Sequence, residues 1–380
     1  MQTTQITLPP DAHILLVKLA GIGDLLLATP AIQALRDSYP QARIDLLVTP
    51  ESAGLLQGWD AINTIIVLDK YLFDDLKQMA KRPQALLPLQ KLWQTLHSAH
   101  YDAVLLLHHL TLRFGRLKHQ LLMRAAGAKW RVGLDNGHGW FLNVHVNDGG
   151  FGAMHEADYM LALAQAVGAQ PAHKRLFIPL TDTERKQARE IVYGSAASSG
   201  KLLIALHPGS GGYSTARRWA PDRFAQLAEQ LYRSEGGEIL LLGGPEEAAL
   251  HEQIIQMVQQ ISPTVPVRSL AGKGNIKVAA AILELMDLFV GNDAGLMHLA
   301  VAVNTPTVAI FGLSNYKAWG PYTDATRATV VHLDLACMPC FYRGHDLGTP
   351  EGCATRDCLT HLTVEPVAVA ARTMLKTLKA

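Results

Sequence analysis

Four cysteines in 380 residues, all between positions 337 and 358, are too few and too clustered to staple a fold, and a reducing compartment is expected. An excess of one charge is missing as well: 34 Lys and Arg stand against 33 Asp and Glu, a net +1. The broad basic field of a typical nucleic-acid binder is therefore excluded. Lys18, Asp24, Glu284 and Asp287 interrupt the most apolar stretches, and none attains the roughly 18 to 20 uncharged residues of a membrane span. The segment 1–11 lacks the cationic-then-apolar order of an export signal, which points to the cytoplasm. No fixed-period repeat and no low-complexity segment is present. What remains is 49% hydrophobic and 18% charged, at a length that suits two packed domains.

Apolar strand-like runs alternate with helical patterns in both halves, the pattern of an α/β fold. In the first half, strands are expected at residues 14–17, 43–48, 64–68 and 104–107, with a helix after Asp24 that sets Leu25, Ala28, Ile32 and Leu35 on one face. In the second half, strands at 202–206, 239–242, 288–290 and 307–311 are separated by helices near 224–233, 246–259 and 278–286. Two doubly wound, Rossmann-like domains follow, 1–180 and 181–380. They join where Pro179 ends one pattern and Asp182-Thr183-Glu184 opens a helix in capping style. A cleft facing the C-terminal strand ends is the default ligand site of such a pair.

The most informative segment runs from Leu288 to Ala300, LFVGNDAGLMHLA. A buried strand ending in Gly-Asn leads through Asp293, a good N-cap, into a helix whose first turn, at Ala294 and Gly295, leaves backbone amides unobstructed for an anion. His298 follows five residues after Asp293 and can aim at the same group. An ordinary strand-to-helix connection with a buried core histidine fits the segment too. Near the N-terminus, Gly21-Ile22-Gly23-Asp24 suggests a dinucleotide fingerprint, but Leu26 stands where the third glycine belongs, so nicotinamide and flavin are not expected. Asp24 is either a helix cap or, at the end of the first strand, a base placed to take a proton from an attacking hydroxyl. The block from His207 to Trp219, with its glycine-rich turn, Ser210, Gly211 and Arg217, suits a diphosphate. Glu246, just past another strand end, can hold the two ribose hydroxyls of a nucleotide, and the loop at Gly274 can meet a base edge.

In their order these motifs, VKLAGIGDLLLATPAI, HPGSGG with ARRW, LLGGPEE, and VGNDAGLMHLA followed by PTVAIFG, resemble glycosyltransferase family 9, the ADP-heptose-dependent heptosyltransferases of lipopolysaccharide core assembly, over nearly the whole chain. The resemblance implies the GT-B architecture, with an N-terminal acceptor domain and a C-terminal nucleotide-sugar domain. It implies heptose transfer from ADP-heptose with inversion and no cofactor for the chemistry. Asp24 falls on the family's general base, Glu246 on the ribose-binding acid, Gly274 on the adenine loop, and Asp293, Ala294, Gly295 and His298 on the pyrophosphate and sugar loop. Arg217 stands where the family usually has Lys, keeping charge but altering reach. Family members often have Thr where this chain has Ala294, which removes a hydroxyl contact to phosphate and leaves the backbone amide.

On the acceptor side the candidates are Lys18, Arg113 and Arg116. Residues 103–134 contain no acid but include Arg113, Arg116, Lys118, Arg124, Lys129 and Arg131, a charge pattern suited to an anionic lipopolysaccharide core, with peripheral contact at the inner membrane face. Residues 71–99 read as a packed insertion, with a mobile lid or membrane-facing element as alternatives. Cys337, Cys340, Cys353 and Cys358 have a spacing open to three readings: a structural zinc or iron site, buried thiols, or a reversible disulfide. The expected function is thus an inverting heptosyltransferase acting on a lipopolysaccharide core. A protein (autotransporter) heptosyltransferase, a nucleotide-sugar epimerase and an inactive nucleotide-sugar-binding partner remain as alternatives.

Overall fold

The structure, a computed structural model, describes residues 5–69, 86–194 and 200–379. The chain divides into two compact units, Met1–Lys174 and Arg175–Ala380. No helix among the described residues is long and apolar enough to cross a membrane.

In the first unit the elements run β1 (His13–Lys18), α1 (Ile22–Ser38), β2 (Arg43–Val48), α2 (Pro50–Ala53), β3 (Thr64–Val67), α3 (Leu86–Ser98), β4 (Ala103–Leu106), α4 (Arg113–Ala126), β5 (Trp130–Asp135), β6 (Val144–Asn147) and α5 (Glu156–Ala166). Six parallel strands lie in the order β3-β2-β1-β4-β5-β6. The central strands are apolar on both faces: in β1 every residue from Ile14 to Val17 is fully buried, as a sheet covered by helices on each side requires. Strands β5 and β6 escape the sequence reading because polar Arg131, His145 and Asn147 break their apolar runs.

The second unit contains α6 (Asp182–Tyr193), β7 (Leu203–His207), α7 (Pro221–Glu235), β8 (Glu238–Leu241), α8 (Ala248–Ile261), β9 (Val267–Ser269), α9 (Ile276–Glu284), β10 (Leu288–Asn292), α10 (Gly295–Ala302), β11 (Thr307–Ile310), α11 (Tyr316–Trp319) and β12 (Ala328–Val331). A two-stranded ribbon, β13 (Phe341–Arg343) with β14 (Asp346–Gly348), then α12 (Asp357–Thr360) and α13 (Val364–Lys379) complete it. Its sheet runs β12-β11-β10-β7-β8-β9, again all parallel. Thr181 and Glu184 form a capping box at the start of α6, holding two first-turn amides that otherwise lack partners. The core of this unit gathers Trp219, Phe224, Leu231, Ile254 and Val367 between sheet and helices.

Each sheet reverses direction once, between β1 and β4 in the first and between β7 and β10 in the second. At such a switch point adjacent loops leave the C-terminal strand ends in opposite directions and open a crevice. The Asp24 motif sits at the first of these points and the His207–Trp219 and Leu288–Ala300 motifs at the second, while Glu246 and Gly274 follow β8 and β9 beside it.

Candidate active site

In the first unit the strand end, the loop after it and the first turn of α1 carry Lys18, Leu19 and Asp24 in that order. Asp24 is not the cap of α1: Gly21 holds that position in extended backbone, and Asp24 lies in the first turn, where a carboxylate is favoured by the unpaired amides. Its side chain is 38% exposed, whereas Lys18 behind it is almost fully buried, with Nζ 4.0 Å from Asp24 Oδ1. Lys18 Nζ also donates to Leu107 O at 2.9 Å. Lys18, expected on the acceptor side, is thus buried between Leu107 O and the Asp24 carboxylate.

Across the switch point the loop after β4 brings His108 and His109. The Leu19 N–H donates to His108 Nε2 at 2.7 Å, which requires that nitrogen to be unprotonated. His109 is wedged between two buried carboxylates, Nδ1 2.9 Å from Asp148 and Nε2 3.0 Å from Glu156. Burial works against its charge, but hydrogen bonds to Asp148 and Glu156, together with their charges, hold its pKa up at about 9. His109 is thus an imidazolium at neutral pH. Arg116 spends its guanidinium on Leu110 O and Thr111 O, both at 2.9 Å, so it braces the β4–α4 loop, while Arg113 is exposed.

In the second unit four strand ends converge. After β7 comes the Ser210-Gly211 loop expected to meet a diphosphate, and its two backbone amides are already committed. The structure gives them to Glu247, whose Oε1 accepts from Ser210 N at 3.1 Å and Gly211 N at 3.3 Å. Glu247 Oε2 lies 3.2 Å from His207 Nε2. Burial raises the Glu247 pKa, but His207, the Gly211 amide and Arg218 together hold it down at about 2. Two glycines exist to admit this carboxylate: a Cβ at Gly209 would lie 1.8 Å from Glu247 Oε1, and one at Gly243 would lie 2.4 Å from Oε2. The adjacent Glu246 is exposed, as a ribose-binding acid must be. Sequence reasoning named Glu246 alone and missed that its neighbour Glu247 builds the loop.

Asn292, fully buried at the end of β10, ties the same loop down: its Nδ2 donates to Pro208 O at 2.8 Å and Gly209 O at 3.0 Å. Arg217 Nη1 lies 3.3 Å from Asp293 Oδ2, and Arg217 Nε is buried with no hydrogen-bond partner, leaving a charged donor uncommitted. Asp293 is consequently not the cap of α10. Extended Ala294 takes that position, with Gly295 opening the helix and His298 buried one turn on. Gly274 has φ +88°, and a Cβ there would meet Val278 at 2.6 Å. Asn275 beside it caps α9 by accepting from Lys277 N and Val278 N, both at 3.0 Å.

Cys337 and Cys353 are exposed, Cys340 is half-buried and Cys358 is buried, all as free thiols. They share one neighbourhood. Burial, then the charges of Cys340, Cys353 and Cys337, push the Cys358 thiol up to about 11, while a hydrogen bond from the Arg356 amide lowers that of Cys353. Among the described residues no group of three or more His, Cys, Asp and Glu is disposed to hold a metal ion. The four sulfurs as arranged do not fit a tetrahedral centre.

Two parallel sheets of identical strand order, with charged and glycine-rich loops at both switch points, define two doubly wound, Rossmann-like units, the arrangement of the GT-B fold. The chain belongs to glycosyltransferase family 9 (heptosyltransferase), whose model matches residues 89–349. Lipooligosaccharide heptosyltransferase 2 of Campylobacter jejuni is 34% identical over 179 residues, 47% of this chain, and the match spans about half (52%) of that relative. Lipopolysaccharide heptosyltransferase 3 of Escherichia coli is 25% identical over 80% of this chain and 84% of its own length. The solved ADP-heptose lps heptosyltransferase II of E. coli superimposes with a TM-score of 0.70 at 22% identity, covering 97% of this chain and all of that one. It is alike in fold.

Proposed function

We propose that the protein moves heptose from ADP-heptose to a hydroxyl of an anionic lipopolysaccharide core, with inversion and in the cytoplasm at the inner face of the membrane. The observation that carries this reading is Asp24: a solvent-accessible carboxylate at the switch point of the first sheet, with the buried Lys18 ammonium 4.0 Å behind it. Asp24 accepts the acceptor hydroxyl's proton as that oxygen attacks the anomeric carbon. The bond from that carbon to the diphosphate oxygen breaks, and ADP leaves with the electron pair. Charge developing on the diphosphate meets Arg217, the amides at Ala294 and Gly295, and His298. Glu246 holds the ribose and the Gly274 loop lies against adenine. Arg113 meets acceptor phosphate. Ser210 and Gly211 contribute through the loop shape that Glu247 imposes.

The test is incubation with ADP-heptose and a panel of truncated lipopolysaccharides and candidate polypeptides. Heptose appearing on a core oligosaccharide, with ADP released in equal amount, supports the reading. Transfer to polypeptide alone, or interconversion of the free sugar nucleotide without an acceptor, overturns it.

A further inference from the structure

From residue 86 to residue 134 the only acidic side chain is Asp102, and its carboxylate is engaged by the His13 amide at 2.8 Å. The two helices in this stretch, α3 and α4, expose Leu87, Trp93, Leu112, Phe114, Leu117 and Leu121 to solvent, with Leu117 at 50% and Leu121 at 49%. Scattered surface leucines need no explanation, but a contiguous apolar surface does. Phe114, Leu117 and Leu121 share one side of α4. At 100° per residue, Arg113, Arg124, Leu117, Leu121, Phe114 and Lys118 fall in that order within an arc of roughly 140° on α4. Cations thus bound the apolar stripe on both sides, and Lys118 Nζ lies 5.3 Å from the centre of the Phe114 ring. Trp93 and Lys91 on α3 extend the pattern. An apolar cavity of about 350 Å³ opens between the two helices, lined in part by Leu92, Trp93 and Leu121, and also by Leu19 and His108 from the strand ends beside Asp24.

We infer that the exposed face of α3 and α4 docks on an anionic lipid bilayer. The apolar stripe enters the headgroup boundary, Trp93 sits at the interface, and Lys118 and Arg124 meet lipid phosphates. The complementarity is chemical: the apolar arc matches the acyl boundary and the cations that border it match anionic headgroups, whereas a zwitterionic surface offers no net charge to attract them. That the docked face presents a lipid-anchored acceptor to Asp24 rests on the function proposed above; the docking itself does not.

Flotation of the intact protein with vesicles tests the inference. Wild-type protein should float with phosphatidylethanolamine vesicles containing phosphatidylglycerol, should be released by salt, and should stay behind with phosphatidylcholine alone. L117E/L121E should lose roughly a hundredfold or more in partitioning, with unchanged melting temperature and unchanged transfer to a lipid-free core oligosaccharide. L117Q/L121Q serves if the charged pair unfolds the helix, and should lose less. Equal flotation of wild type and variant, equal flotation on phosphatidylcholine, or no flotation overturns the inference. So does a wild-type dimer that L117E/L121E dissociates without changing flotation, which would assign the face to a second copy. Flotation without heptose transfer sinks the functional proposal and leaves docking standing; transfer without flotation does the reverse.

Discussion

Replacing His109 by Gln removes the imidazolium that two buried carboxylates, Asp148 and Glu156, share. The imidazolium donates through both ring nitrogens, whereas the glutamine amide carries no charge and donates from one nitrogen only, so both carboxylates lose their charged partner and one also loses its hydrogen bond from this position. Breaking a buried pair in this way costs about 3–5 kcal/mol. The pH dependence gives an independent figure. With the folded pKa raised from 6.5 to about 9, the imidazolium contributes on the order of 3 kcal/mol. Because the folded value is the higher one, this stability is fully present below about pH 6.5 and is lost as pH rises through about 9. Urea unfolding followed by tryptophan fluorescence, reading the transition of the first unit, should show wild type losing most of that increment between these limits and His109→Gln losing none. Identical pH profiles for the two proteins, or a penalty under about 1 kcal/mol at neutral pH, would refute the assignment of a charged, doubly bonded His109.

In the second unit, Glu247→Gln should cost about 1–3 kcal/mol of stability and weaken ADP by disordering the loop. Exposed Glu246→Gln should stay within about 0.5 kcal/mol in stability while weakening ADP and adenosine alike in calorimetry. Arg217→Ala and His298→Ala should each weaken ADP and leave adenosine affinity unchanged; unaltered ADP affinity in both would move the diphosphate elsewhere. At neutral pH an alkylating reagent should reach exposed Cys353 first and buried Cys358 last. Protection of all four thiols, with close to one equivalent of zinc or iron by elemental analysis, would instead establish a bound metal and a rearranged cluster.

Much of the fold was legible because buried parallel strands write themselves as short apolar runs: residues 14–17, 43–48 and 288–290 fall within β1, β2 and β10. Strands β5, β6, β9 and β12 were not, since their residues are partly exposed or polar and periodicity then loses its signal. At the candidate site, motif position located Asp24, Glu246, Asp293 and His298, but not which groups satisfy one another. Asp293 reads as a cap until Arg217 is seen against it, and the sequence does not show that Leu107 O holds the Lys18 ammonium. His109, Asp148 and Glu156 lie 39 and 47 positions apart, so only the folded sheet brings them together. The pair His108-His109 at a strand end was the one available signal. Of the apolar insertion read at 71–99, residues 71–85 lie outside those described, and the remainder is α3 with its exposed Trp93.

The central claim is that a carboxylate at the first switch point performs base catalysis on an acceptor while the second unit binds the donor. The measurement that tests it most directly compares Asp24→Asn with wild type in two assays on the same preparation: heptose transfer and ADP affinity. Transfer should fall by about 10² to 10⁴ with ADP affinity unchanged. Wild-type turnover in the variant would contradict the account, and so would a loss of ADP binding that matches the loss of transfer.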